Sequence, residues 1–219
     1  AAHELRTPLS ILRVHAQNVA SAENDLEREH SLNQLVVGVD RSTRIVSQLL
    51  ALARLEHQKE VSKETVDVLS ISRAMIAEIL PLAWKKNIEI SLDVNDALNW
   101  CCLVEASHVE ILLQNLISNA IKFSPNGSTI QIYWKQNLGC IELTVVDSGK
   151  GVTQGDKQRL SERFFRSGEA EGAGLGLSIV KNIIDKYKGH MSFQDSRPHG
   201  LTVNISLPIS MNTSSDQPV

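Results

Sequence analysis

Long apolar runs, basic clusters and a usable cysteine framework are all missing from this sequence of 219 residues. No window approaches the roughly 18 consecutive apolar residues that a bilayer span requires, so no transmembrane helix is expected within it. Lysine and arginine number 22 against 25 acidic residues, the net charge is −3, and the basic residues form no run. Electrostatic capture of nucleic acid or of an anionic membrane surface is therefore not expected. The three cysteines, Cys101, Cys102 and Cys140, lack metal-type spacing, and an odd number with one adjacent pair is a poor disulfide framework. They read as reduced core residues of a cytosolic protein. With no initiator Met and no signal-like segment, the chain is expected to be part of a longer one.

What is present divides into two units. Leu5, Leu9, Leu12, Ala16 and Val19 alternate steps of four and three, and Leu32, Leu35, Val36, Val39, Val46, Leu49, Leu50 and Ala53 continue the pattern. With the polar stretch SAENDLEREH between them, these runs predict an antiparallel helical hairpin over residues 1–60. One hairpin has too little core to stand alone, so two chains are expected to pair as a four-helix bundle, a homodimer. Within the opening HELRTP, His3 falls about 200° round the helix from Leu5, and Thr7 lies one turn beyond His3 on the same outer face. Pro8 cannot donate to the Glu4 carbonyl, so a bend is expected just after the histidine. Read alone, the stretch is equally a solvated histidine near a helix start with a first-turn proline.

Residues 61–66 read as a linker into a second unit at 67–210, with a flexible tail at 211–219. Alternating segments at 88–94, 129–135, 141–147 and 201–207 predict strands, and helical patterns fall at about 71–86, 106–123 and 174–187. The fold class is α+β: the helical hairpin followed by an α/β sandwich, a sheet covered by helices.

Four constellations in this unit are candidates for chemistry. In QNLISNAIKFSP, Asn115 and Asn119 sit four apart on an otherwise apolar helix, with Lys122 one turn on. Two amides on one face cost stability unless they find partners, and a hydrated Mg²⁺ with phosphate would supply them; helix-capping and surface amides have the same appearance. In DSGKGV, Asp147 can accept from an exocyclic amine while Gly149 and Gly151 admit a flat ligand; a plain Asp-led turn has the same composition. RFFR sets Arg163 and Arg166 beside two aromatics that serve equally as a structural pair. Gly172, Gly174 and Gly176 run straight into an amphipathic helix, as a phosphate-binding helix start or a flexible linker would. Their spacing is not that of the dinucleotide fingerprint.

Taken in order, HELRTP, NLISNAIKFSP, DSGKGV, RFFR and GAGLGLSIV resemble the H, N, G1, F and G2 boxes of bacterial two-component sensor histidine kinases. The resemblance covers residues 1 to about 208: a dimerisation and histidine phosphotransfer domain, then a catalytic ATP-binding domain of the type shared with Hsp90 and gyrase. It implies ATP and Mg²⁺ as cofactors, autophosphorylation of His3, and onward transfer to an aspartate of a response regulator. It further implies Glu4 as the base that orients the imidazole and Thr7 as a residue of the reverse, phosphatase reaction. By the same resemblance Asn119 is the Mg²⁺ ligand, and Asn115, Lys122, Phe123, Asp147, Gly149, Gly151, Arg166, Gly172, Gly174, Leu175, Gly176 and Leu177 line the nucleotide. The molecule is then the cytoplasmic portion of a bacterial inner-membrane protein, anchored by segments outside this sequence.

Departures from the pattern carry their own implications. Asn115 stands where the related ATPases have a glutamate that activates water, and an amide cannot act as a general base, so slow hydrolysis is expected. Phe123 replaces a common tyrosine. Only SGEAE separates Arg166 from Gly172, a short segment similar to that of the QseC-type branch of the family. A nucleotide-binding dimerisation scaffold without phosphotransfer is the alternative from another functional class.

Overall fold

The computed structural model describes residues 2–57, 64–95, 100–137, 139–168 and 173–208; residues 2–8, Arg41 and Glu56 are described by their backbone alone. Helix α1 (Ala2–Ser21) and helix α2 (Asp25–His57) form the hairpin. Helix α1 is continuous through Pro8, so the expected bend does not interrupt it. The connector is far shorter than the polarity of SAENDLEREH suggests, because only residues 22–24 are non-helical. The cause is a capping arrangement: Asn24 Oδ1 accepts from the Glu27 N–H at 2.9 Å, while Glu27 Oε2 accepts from the Glu23 N–H at 3.2 Å. The charged stretch after Asn24 is thus the solvated first turns of α2.

One stripe of α2 (Leu35, Gly38, Ser42, Ile45 and Leu49) is partly or fully buried, as are Leu12, His15 and Val19 of α1. Gly38 permits the close approach, since a Cβ there would lie 2.7 Å from Leu12 Cδ2. Leu9, Leu32, Val36, Val39, Val46 and Leu50, also on the expected seam, are exposed in the single chain.

Strand β1 (Glu64–Asp67) begins where a linker was expected and pairs antiparallel with β3 (Cys101–Val104). Helix α3 (Val68–Trp84) starts three residues earlier than its apolar period indicates. Asp67 caps it, with Oδ1 accepting from Leu69 and Ser70 and Oδ2 from the Ser70 hydroxyl at 2.6 Å. Those hydrogen bonds, the Ser70 hydroxyl foremost, hold the Asp67 carboxyl below its ordinary range.

Then follow β2 (Glu89–Val94), α4 (Ala106–Phe123), β4 (Thr129–Asn137), β5 (Cys140–Val146), α5 (Gln154–Lys157), α6 (Gly176–Lys186), β6 (His190–Asp195) and β7 (Leu201–Pro208). The sheet order is β2-β4-β5-β7-β6, with only the β2–β4 pair parallel. Alternation along β4, β5 and β7 sends Ile130, Ile132, Trp134, Ile141, Leu143, Val145, Val203, Ile205 and Leu207 to one buried face, which α3, α4 and α6 cover. The buried Trp134 indole is satisfied there, donating to Ser72 Oγ of α3 at 2.9 Å. Leu52 and Leu55 of α2 join the same core, and α2 packs against α6. No helix among the described residues is long and apolar enough to cross a membrane.

Candidate nucleotide site

Helix α4 buries Val109, Leu112, Leu113, Leu116, Ile117, Ala120 and Ile121. Its period leaves Asn115 and Asn119 half-buried at the edge of that face. Lys86 fixes the end of the helix: its Nζ donates to the carbonyls of Ile121, Lys122 and Ser124 at 2.8, 3.1 and 2.8 Å, a cation on C-terminal carbonyl oxygens.

The start of α6 lies against the two amides. A Cβ on Gly176 would sit 2.9 Å from Asn115 Oδ1 and 3.3 Å from Asn119 Nδ2. The structure thus brings together two motifs that are nearly sixty residues apart in the chain. Leu175, at the N-cap of α6, offers no side-chain cap, so the first N–H groups of this helix have none from it. Leu175 itself is a core residue, 1% exposed, which anchors the loop rather than facing a ligand; Leu177 is partly exposed.

Asp147 directly follows β5 and is 9% exposed. Its Oδ1 accepts from the N–H groups of Gly149 at 2.9 Å and Leu201 at 3.0 Å, and its backbone carbonyl accepts from Ser196 Oγ at 2.8 Å. Oδ2 has no hydrogen-bond partner among the described residues and is the oxygen available to a ligand donor. Burial pushes the carboxyl pKa up, while the two backbone hydrogen bonds oppose that shift. Gly149 allows the turn to pass under α4, where a Cβ would lie 2.9 Å from the Phe123 carbonyl. Phe123 itself is exposed, and Lys122 Nζ stands 4.8 Å from its ring centroid.

The RFFR stretch joins the same end of the fold. The Phe164 N–H donates to the Gly174 carbonyl at 2.9 Å, and Gly174 has φ +66° with a Cβ position 2.6 Å from the Phe165 carbonyl. Only glycine fits there, so a conformational demand ties the aromatic motif to the glycine loop. Arg166 is exposed, while Arg159 covers the Phe165 ring at 4.3 Å. Where Gly151 and Val152 meet Gly168, His199 and Gly200, a cleft of about 480 Å³ opens beside the site.

Gly176 therefore meets Asn115 and Asn119, Gly149 joins Asp147 to the C-terminal end of α4, Gly151 packs on Gly200, and Gly174 ties the RFFR stretch to the loop before α6, while Lys122, Phe123 and Arg166 are exposed. Gly172 lies outside the described residues. His3, Glu4 and Thr7 have their backbone in α1, and their side chains lie outside the described residues. Sequence reasoning missed Ser196 and the Leu201 N–H, which brace Asp147 from the β6–β7 turn. A residue's backbone N–H carries no sequence signal, although the Pro198–Gly200 turn preceding β7 marks the place.

The donor set suits Mg²⁺ only in company. The neutral amide oxygen of Asn119, whose side chain has no partner among the described residues, is a hard ligand of the right kind. No group of three or more His, Cys, Asp or Glu able to hold a metal occurs among the described residues. The metal would therefore be held by Asn119 together with the phosphates of a nucleotide.

Comparison with known proteins identifies the two units of the chain. Residues 1–58 match the His Kinase A (phospho-acceptor) domain, and residues 104–211 match the histidine kinase-, DNA gyrase B- and HSP90-like ATPase domain. The sensor protein QseC of Salmonella typhimurium strain LT2 is 34% identical over 212 residues, 94% of this chain and 46% of that protein. The chain thus spans about half the length of the curated relatives it matches. Full-length ShkA, solved in complex with AMPPNP, is 26% identical with a TM-score of 0.72 over 94% of this chain and 44% of that one. Histidine kinase AdeS of Acinetobacter baumannii shares the fold, with a TM-score of 0.75 and 23% identity over 95% of this chain and 98% of that one.

Proposed function

The chain belongs to the two-component sensor histidine kinases, and from that premise we propose that it transfers the γ-phosphoryl group of Mg²⁺-ATP to His3 and thence to an aspartate of a response regulator. The observation that carries the reading is the start of α6 set against Asn115 and Asn119, with the open Asp147 Oδ2 in the turn that Gly149 packs on the last residue of α4. Asp147 accepts the exocyclic amine of adenine. Asn119 holds the metal that accompanies the phosphates, with Asn115 and Lys122 beside it. A bound Mg²⁺ supplies charge neutralisation on the phosphates. The resemblance to the nucleotide-bound ShkA supports this assignment.

In the transfer, Nε2 of His3 attacks the γ-phosphorus, the bond to the bridging oxygen breaks, and ADP leaves with that electron pair. Glu4 takes the Nδ1 proton, leaving a neutral phosphoimidazole. Asn115 offers no general base for water, so the pocket retains ATP for the histidine. Thr7 serves the opposing activity, placing the water that hydrolyses the regulator's aspartyl phosphate to aspartate and inorganic phosphate. The division of labour is residues 1–60 for dimerisation and phospho-acceptance and 67–210 for nucleotide, within a membrane-anchored protein whose kinase core is cytoplasmic.

The test is incubation with γ-labelled ATP and Mg²⁺, in this chain and in one extended upstream. Label that is acid-labile, alkali-stable and lost in His3→Ala establishes the transfer. Nucleotide binding with no label in either chain would overturn it in favour of a nucleotide-binding dimerisation scaffold.

A further inference from the structure

Asn115 is engaged from two sides. Its Nδ2 donates to the Ile111 carbonyl one turn back at 2.7 Å, and its Oδ1 accepts from Gln48 Nε2 at 3.5 Å. Gln48 belongs not to the nucleotide unit but to α2 of the hairpin. Its placement is not incidental. One turn further on, Leu52 is 4% exposed within the core shared with α6, Leu55 follows at 4%, and Leu49 packs against the same core. This face of α2 therefore covers the edge at which α6 begins.

The hairpin register sets the level of the contact. Gly38 lies against Leu12. Counting from that pair at equal rise in opposite directions brings Gln48 level with the α1 backbone at Ala2 and His3. The docked edge of the nucleotide unit thus stands at the height of the expected phospho-acceptor. The Asn119 side chain, in contrast to that of Asn115, has no hydrogen-bond partner among the described residues.

An amide oxygen has two lone pairs, and here one receives the Gln48 donor while Gly176 packs closely against the same atom. A ligand that recruits this oxygen through a hydrated metal or a phosphate-bound water must share it with Gln48 or displace it. We propose that Gln48 is a positioning residue through which the hairpin holds Asn115 in the docked arrangement, so that hairpin docking and metal–nucleotide binding oppose each other at one amide oxygen. The inference rests on Asn115 belonging to the nucleotide site. By linkage the opposition is reciprocal: a docked hairpin weakens metal–nucleotide binding, and bound metal–nucleotide favours release of the hairpin at the level of His3.

The experiment is calorimetric titration of the whole 219-residue chain and its Gln48→Ala and Gln48→Leu variants with Mg²⁺·AMPPNP and, separately, with adenosine. Both variants are expected to bind Mg²⁺·AMPPNP roughly twofold to threefold more tightly, the low end of one neutral hydrogen bond, as a length of 3.5 Å requires. Adenosine affinity is expected to stay level, because it has no phosphates and is read at Asp147. A merely structural role for Gln48 would move both ligands together, and thermal melts of the two variants separate loss of fold from loss of contact. Unchanged or weaker Mg²⁺·AMPPNP binding in both folded variants, or an equal shift for adenosine, overturns the inference while leaving the nucleotide site intact. Absence of binding by the unsubstituted chain overturns the nucleotide reading, and the inference with it.

Discussion

His108 Nδ1 lies 2.7 Å from the hydroxyl of Tyr187, and that hydroxyl accepts the Glu105 N–H at 2.9 Å. In the Nε2–H tautomer of neutral His108, the hydroxyl that accepts from Glu105 donates its own proton to Nδ1. The link joins the first turn of α4 to the C-cap residue of α6, whose other end meets Asn115 and Asn119 of α4 at Gly176. Burial raises the Tyr187 pKa to about 12, so the hydroxyl stays protonated across the working range. Tyr187→Phe leaves His108 Nδ1 and the Glu105 N–H without this partner. A loss of about 1–3 kcal/mol in denaturant unfolding is expected, and no loss would show that the link does not tie the helices.

The same pair sets a pH dependence. Burial lowers the His108 pKa, with Glu105 pulling the other way and Lys186 reinforcing the shift. Below the ordinary histidine value of about 6.5, the unfolded chain binds a proton that the folded chain does not. Stability is therefore fully present above that value and falls as pH drops below it, until the folded histidine itself protonates. Unfolding midpoints measured from pH 7.5 to 5.5 are expected to decline, and the decline is expected to be blunted in His108→Gln. Equal slopes in the two proteins would remove His108 as the cause.

Much of this architecture was legible in the sequence because it rests on periodicity. The bounds 106–123 for α4 and the four apolar strands follow from side-chain alternation that burial on one face requires. What escaped has local causes. Strands β1 and β3 are four residues each, too short to show a period, and the alternation of edge strand β6 rests on only two apolar residues, Met191 and Phe193. The first turns of α2 were mistaken for a connector because solvated helix and polar turn share a composition, and only the Asn24–Glu27 capping exchange separates them. At the site, Asn115, Asn119 and Asp147 were visible as polar groups out of place in apolar segments. Gln48 was invisible because its partner is 67 residues away and reached only through packing of α2 on α6.

Asp147 invites a substitution that separates stability from recognition. Its raised pKa means that the ionised carboxylate is a cost to the folded state at neutral pH: the shift contributes stability only below the folded value, and that contribution is lost as pH rises through it. Asp147→Asn removes the charge while its amide oxygen still accepts from Gly149 and Leu201. Thermal stability is expected to hold or rise slightly. The amide nitrogen then replaces Oδ2 and meets the adenine amine donor to donor, so AMPPNP affinity is expected to fall at least about tenfold. A stable variant with unaltered affinity would sink Asp147 as the base reader.

The exposed apolar stripe of α2 remains to be covered. Val36, Val39, Val46 and Leu50 are 58, 47, 43 and 54% exposed, and their spacing puts them on one side of the helix. The opposite stripe, through Ile45, Leu49 and Leu52, is already used within the chain. A second hairpin laid against the free stripe would complete the four-helix bundle expected from the heptad pattern. Val39→Glu together with Leu50→Glu exchanges two apolar contacts of about 1.5–3 kcal/mol each for buried charge. Association is then expected to weaken by more than about a hundredfold, read as monomer mass in light scattering where the unsubstituted chain is a dimer. Leu50 lies two residues from Gln48, about 200° round the helix, so the dimer face and the face that reaches Asn115 are separate. The double variant is therefore expected to keep the Mg²⁺·AMPPNP affinity of the unsubstituted chain. Retained dimer mass would show that some other surface pairs the chains, and a changed affinity would mean that pairing and docking share a face of α2 after all.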